Sequence, residues 1–282
     1  MSIDSTWLRC PNCFSAVDPV DERVYGCANG HRFDRSKFGY LTLLPPRAPR
    51  TIGDDRDMLA ARAGLLDRGV FAPISDALIS LVADDRTTAS SGALRVADLG
   101  CGTGYYSARI SDSIPSARIL LADRSPDAVR MALRAVPRAS GVVLDIWRPL
   151  PIADATADAI LNVFAPRNPA EFRRILRHDG RVIVVVPTAA HLSELRARGA
   201  LLDIPAEKDS AVAEQLGAAG FSRRGGPRVE YRIEADAELR ARLAGMGPSA
   251  HHAAALAATD GGELATVTVS VDVLSFEVAE SS

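Results

Sequence analysis

The sequence predicts an α/β fold, a doubly wound and mostly parallel sheet, with a small cysteine-rich module at its N-terminal end. Three observations carry that expectation. From Leu94 onward, short apolar runs alternate with helical periodicities, the pattern of parallel strands joined by crossover helices. A glycine-rich run, Gly100-Cys-Gly102-Thr-Gly104, falls at the first strand-to-helix junction of that series. Three of the four cysteines (Cys10, Cys13 and Cys27) cluster near the N-terminus, and Cys101 stands alone inside the glycine run.

A chain of 282 residues suits one such domain plus an appendage. With 47% hydrophobic and 24% charged residues it reads as globular rather than disordered. No apolar run approaches the roughly 20 residues needed to cross a bilayer. The N-terminus lacks a charged-then-apolar signal pattern, so a cytoplasmic protein without a membrane partner is expected. The net charge of −2 argues mildly against a nucleic-acid partner, although net charge hides local distribution. Only Lys37 and Lys208 are lysines; arginine supplies the remaining basic residues.

Taken in order, residues 1–45 form the module, with turn chemistry at Asp18-Pro19 and a strand-like Arg23–Tyr25. Pro45, Pro46, Pro49 and the charged Gly53–Asp57 stretch break any regular element, placing a boundary near Leu44–Asp54. Residues 46–90 then supply linker and helices. Met58, Leu59, Ala63, Leu66, Val70 and Phe71 recur at helical spacing, as do Ile74, Leu78, Leu81 and Val82, and Gly69 and Pro73 divide the two sets. Asp84–Gly92 reads as a polar loop. The main domain, 91–282, runs strand Leu94–Leu99, helix Tyr105–Ser113, strand Ala117–Ala122 and helix Pro126–Ala135. Ser125 is the expected N-cap of the latter helix, with Pro126 at its first position. Strands Gly141–Leu144 and Ala157–Val163, helix Ala170–Leu176, strand Arg181–Val186 and helix Ser210–Ala219 follow. Strands Val229–Ile233 and Thr266–Phe276 read as a terminal hairpin interrupted by a helical insert, Ala237–Ala258.

Cys10-Pro-Asn-Cys13 is a C-x2-C knuckle, and Cys27 with His31 makes C-x3-H. Together they can surround one tetrahedral Zn²⁺. Four protein ligands close the shell, so the predicted site is structural rather than catalytic. So small a module needs such a staple to fold. Cys101 reads instead as a small residue packed within the glycine loop.

Glycines at Gly100, Gly102 and Gly104, with Thr103 between the last two, let the backbone turn tightly and approach a ligand. A dinucleotide fingerprint would require glycine at its sixth position, where Tyr105 stands. Asp98 just before the loop suits a cationic amino-acid ligand better than a pyrophosphate. Asp123 ends the next strand, where a carboxylate can bond both ribose hydroxyls, and Asp145-Ile146 ends the third, where an adenine ring can be met. Three acids in register with G-x-G-x-G predict a Rossmann-like class I methyltransferase sheet that binds S-adenosylmethionine.

Over nearly its full length the chain resembles the 23S rRNA (guanine-N1) methyltransferases, including the macrolide- and tylosin-resistance enzymes of actinomycetes. The most specific stretch is Cys27-x3-His31-x-Phe33-Asp34 running into Lys37-x-Gly39-Tyr40-x-x-Leu43-Leu44-Pro45. Ala60-Ala61-Arg62…Leu66-Asp67-x-Gly69, Ala165-Pro166 and His191-Leu192-x-Glu194-Leu195 also fit. The resemblance implies methylation at N1 of a guanine in a 23S rRNA hairpin, cofactor contacts from Phe71 (where a tyrosine is usual) and His191, and a homodimer. A loop guanine must be taken up or a stacked one extruded, and Phe164, ending the fourth strand, is the expected stacking platform. RNA docking is expected at the zinc module. There Arg32, Arg35, Lys37, Arg47 and Arg50 stand against only Asp34, a local excess of four, interleaved with Phe33, Phe38 and Tyr40. Arg223, Arg224 and Arg228 are a candidate second patch, and His251-His252 reads as surface. No residue is singled out as the base that removes the N1 proton. Two rival readings are a methyltransferase acting on a small molecule or protein, and a non-catalytic RNA-binding relative.

Overall fold

Two sheets organise the chain in the computed structural model, which describes residues 3–45, 54–83, 92–199, 201–205, 207–246 and 264–279. Arg47, Arg50, His251, His252, the expected polar loop before Gly92 and the expected insert beyond Met246 lie outside the described residues.

The first sheet is a small antiparallel ribbon of β1 (Asp18–Pro19), β2 (Val24–Gly26) and β3 (Arg32–Asp34). The next strand, β4 (Leu41–Thr42), leaves the ribbon and joins the large sheet at its edge, parallel to β7 (Ser140–Val143). That sheet has nine strands. Its centre is β5 (Arg95–Leu99), flanked on one side by β6 (Arg118–Asp123) and then β7 and β4. On the other side lie β8 (Ala157–Val163), β9 (Leu176–Pro187) and β12 (Ala265–Val278). β10 (Phe221–Gly225) and β11 (Arg228–Ala235) run end to end along the outer edge of β12, antiparallel to it. Strand order therefore reverses about β5, which creates the crevice where open α/β sheets bind ligands.

Except for the short helix Ser193–Ala197, the helices fall where the apolar periodicities predict them. α1 (Arg56–Leu66) starts at Asp55, whose carboxylate accepts from the Met58 N–H at 2.9 Å. Gly69, at φ +72°, turns the chain into α2 (Ala72–Val82). α3 (Tyr105–Ser113) begins directly after the glycine loop. α4 (Pro126–Ala135) has Ser125 as its N-cap and Pro126 in its first turn. α5 (Pro169–Ile175), α6 (Ser193–Ala197), α7 (Lys208–Gly217) and α8 (Ala237–Ala244) complete the set.

Covering both faces of the sheet explains the unbroken apolar character of the central strands. One face packs α1, α2, α3, α4 and α8. The other packs α5, α7 and the ribbon, so Trp7, Leu8, Tyr25 and Leu41 share a continuous core with Leu120, Val142 and Ile152. Trp7 is fully buried, and the Arg95 guanidinium lies 4.0 Å from its ring centroid. Arg95 also bonds Asp4 and Thr156, tying the N-terminal segment to the start of β5.

Candidate functional site: a cofactor cleft and a zinc ribbon

At the carboxyl ends of β5 to β9 the sheet opens into a cleft of about 850 Å³. The loop after β5 shapes its floor. Gly100, Gly102 and Gly104 all have positive φ. A Cβ on Gly100 would stand 2.4 Å from the Ala165 Cβ, and one on Gly104 2.6 Å from the Ala132 Cα, so only glycine fits either position. Thr103 is buried within the same loop and lines the cleft.

Asp98 is buried beneath this loop and accepts a hydrogen bond from the Ser107 hydroxyl at 2.6 Å. Burial pushes its carboxyl up to about 7; the Ser107 bond opposes the shift and the charge of Asp123 adds to it. Asp123 accepts from the Gly102 N–H at 3.0 Å and the Ser125 N–H at 2.9 Å, locking the glycine loop to the start of α4. Asp145 meets Arg124 at 2.7 Å and accepts from the Trp147 N–H at 3.2 Å, with Ile146 between them on the cleft wall. The structure thus brings all three predicted acids and the loop to one cavity.

A row of rings closes the far end. Phe71, buried at the start of α2, lies 6.2 Å from the His191 ring, which is stacked 6.3 Å from Phe164. His191 Nδ1 accepts from the Ser270 N–H at 3.2 Å, which leaves the proton on Nε2. Burial, then the charges of Arg196 and Lys208, hold its pKa down to about 4, so the ring is neutral at pH 7. Phe164 is 40% exposed and has φ +52°, a left-handed backbone that a phenylalanine rarely adopts. Asn162 maintains this exit from β8: its buried amide donates to the carbonyls of Leu99 and Pro166 at 3.2 and 2.7 Å.

Several cleft residues carried no spacing signal in the sequence. Arg62 pairs with Asp54, and Trp147 is 68% exposed at the cleft wall. Arg167 and Lys208 also face the cavity. The buried Tyr106 hydroxyl lines the cleft without a hydrogen-bond partner among the described residues. An orphaned hydroxyl, a cradle restricted to glycine and a buried acid fit an amino-acid-bearing nucleoside.

In the ribbon, Cys10, Cys13, Cys27 and His31 present ligand atoms all within 4.8 Å of one another. His31 Nδ1 lies 3.5, 3.5 and 3.3 Å from the sulfurs of Cys10, Cys13 and Cys27, and the Cys13 and Cys27 sulfurs are 3.6 Å apart. A zinc tetrahedron with bonds of about 2.0–2.3 Å has edges of roughly 3.5–3.8 Å, so the set fits. Cys101 takes no part; burial raises its thiol well above the ordinary range.

The expected RNA-docking residues divide. Arg32 is exposed but donates to the carbonyls of Cys27 and His31 at 3.2 and 3.1 Å, bracing the metal loop. Arg35 is half-buried. Lys37 is exposed, its ammonium 5.2 Å from the Phe38 ring, over which Arg130 of α4 also sits at 4.0 Å. Phe33 and Tyr40 pack partly into the cores, leaving Phe38 as the outward ring. The expected second patch is neutralised, since Arg223 pairs with Asp209, Arg224 with Glu277 and Arg228 with Asp272.

Family profiles match two stretches, the methyltransferase domain over residues 96–184 and the N-terminal zinc ribbon of RlmA over residues 8–50. Fold and site define an S-adenosylmethionine-dependent methyltransferase with a structural zinc ribbon. The chain is 43% identical to the 23S rRNA (guanine(748)-N(1))-methyltransferase of Streptomyces fradiae, across 87% of this chain and 86% of that protein. It belongs to the 23S rRNA (guanine-N1) methyltransferase family. Two relatives provisionally assigned guanine-N1 activity on 23S rRNA come from Micromonospora griseorubida (42%, covering 87% of each chain) and Bacillus subtilis (31%, covering 69% of each). No helix among the described residues is long and apolar enough to cross a membrane.

Proposed function

We propose that this enzyme transfers the methyl group of S-adenosylmethionine to N1 of a guanine in a hairpin loop of 23S rRNA. The observation that carries the reading is the row Phe71–His191–Phe164, which ends in a half-exposed aromatic held in an unfavourable backbone at the mouth of the cofactor cleft. Strain of this kind costs about 1–3 kcal/mol and clusters at active sites and ligand clamps.

The bound cofactor supplies an activated sulfonium methyl. Asp98 takes the methionine ammonium as a carboxylate. Asp123 takes the ribose hydroxyls. Asp145 and the Ile146 N–H meet the adenine edge, and Phe71 packs against the cofactor. Gly100, Gly102, Thr103 and Gly104 let the backbone come close. Phe164 stacks the guanine once it has left its own stack. His191 donates through Nε2–H and is no base, because Nδ1 is already occupied by the Ser270 N–H. Catalysis is then chiefly alignment of N1 with the methyl at near-attack distance.

In this reading residues 1–45 recognise rRNA, with Lys37 and Phe38 at the contact and Arg32 and Arg35 behind them. Residues 46–90 link, and 91–282 carry the chemistry. A homodimer, a cytoplasmic location and protection against tylosin-type macrolides rest on the family resemblance alone.

The test is incubation of zinc-loaded protein with tritiated S-adenosylmethionine and unmethylated 23S rRNA, followed by primer extension. One methyl per rRNA and a reverse-transcriptase stop in a hairpin loop are expected. Cofactor binding without rRNA labelling would remove the substrate reading and leave the methyltransferase.

A further inference from the structure

Five cations among the described residues line the cleft, and Arg196 among them is spent on the carbonyls of His191 and Ala189. Arg62 and Arg124 are ion-paired with Asp54 and Asp145. Arg167 and Lys208 have no carboxylate within ion-pair distance among the described residues. Arg167 makes only neutral contacts, donating to Gln215 Oε1 at 3.2 Å and to the Ala165 carbonyl at 3.4 Å. Both are half-buried, both line the cleft, and Arg167 reaches Gln215 on α7, the helix that Lys208 begins; burial, and after it the Arg167 charge, holds the Lys208 ammonium below its ordinary range. Of the nearby acids, Asp209 pairs with Arg223, Glu194 is held by Thr268, and Asp203 lines the same cleft with its charge felt by Arg196.

Partly desolvated like charges facing one cleft are unfavourable unless an anion is shared between them. Lys208 is also the first residue of α7, where the helix dipole disfavours a cation, so helix stability does not explain it. Arg167 follows Phe164 by three residues on the loop leaving β8, which puts a guanidinium beside the proposed base platform. A nucleotide swung out to reach Phe164 must carry its phosphates past that loop.

We propose that Arg167 and Lys208 form a phosphodiester clamp, gripping the RNA backbone next to the target guanine once the base has left its stack. The clamp rests on the rRNA reading above, and it extends RNA contact from the ribbon to the catalytic cleft. Arg167 offers a planar fork to the non-bridging oxygens, and Lys208 a point charge.

The test uses full-length zinc-loaded enzyme, the substrate hairpin, and the same hairpin with a neutral methylphosphonate at the phosphates flanking the target. Arg167→Gln and Lys208→Gln should each weaken hairpin binding about 5- to 10-fold and lower the salt slope by about one. S-adenosylmethionine affinity should stay at the wild-type value, and Lys208→Arg should restore RNA binding. On the methylphosphonate hairpin the wild type should fall to the level of the variants, which should lose nothing further. Hairpin methylation with unchanged affinity and salt slope in the Gln variants overturns the clamp alone. So does a loss of cofactor affinity, which would make the anion the methionine carboxylate. A wild-type protein that neither binds nor methylates the hairpin overturns the substrate reading and the clamp together.

Discussion

Asp98 sets the electrostatics of the cofactor cleft. Its carboxyl sits at about 7 in the folded chain against an ordinary 3.8, so the fold favours the protonated form. Its contribution to stability is therefore present at low pH and is lost as pH rises from about 4 through about 7. A bound ammonium reverses that preference. Cofactor affinity should therefore rise with pH up to about 7 and level off above it. Asp98→Asn should weaken binding roughly 10- to 100-fold, the worth of one charge-assisted bond, and flatten the profile. Calorimetric titration between pH 5.5 and 8.5 checks both, and a flat wild-type profile would contradict them. His191 shifts in the opposite direction. Its folded pKa near 4, below the ordinary 6.5, means that native stability falls as pH drops from about 6.5 towards 4. An imidazole NMR titration should place the midpoint near 4; a midpoint at or above 6.5 would refute the buried, neutral ring.

At the scale of elements, the loop leaving β8 joins strain to function. Phe164→Gly removes the left-handed penalty together with the buried part of a residue that is 40% exposed, and the two effects oppose each other. Stability should stay within about 1 kcal/mol of wild type, while kcat/KM on rRNA falls about 10- to 100-fold, the worth of one base–aromatic stack. Unchanged turnover would make Phe164 a packing residue. The central strands were legible in the sequence because burial on both faces makes them continuous apolar runs, as in Val182–Val186. β10 was not, because Phe221-Ser-Arg-Arg-Gly has no alternation and exists through its pairing with β12. β4 was not either, being two residues held by a partner a hundred positions away. The acids at strand ends could be read because topology fixes where a strand ends. Arg167, Lys208 and Trp147 are isolated side chains whose meaning comes only from the cavity they face.

Considered whole, the ribbon is no pendant. Trp7, Leu8, Tyr25 and Leu41 belong to the same core as the sheet, and β4 extends that sheet. The composition of residues 1–45 suggested a module needing its own staple; its apolar residues instead also serve the large domain. Zinc should therefore stabilise the entire fold. Calorimetry should show one cooperative transition that moves down as a unit when the metal is chelated, and a separate low-temperature ribbon transition would contradict this. Trp7→Ala should cost about 3–5 kcal/mol across that same transition.

The chemistry proposed for the cleft is methylation of guanine N1 in 23S rRNA. Nucleoside digestion and mass spectrometry of the product rRNA tests this most directly. One 1-methylguanosine per 23S rRNA is expected, its formation slowed with Asp98→Asn at limiting cofactor. Methylation at another guanine atom, on another base, or not at all would contradict it.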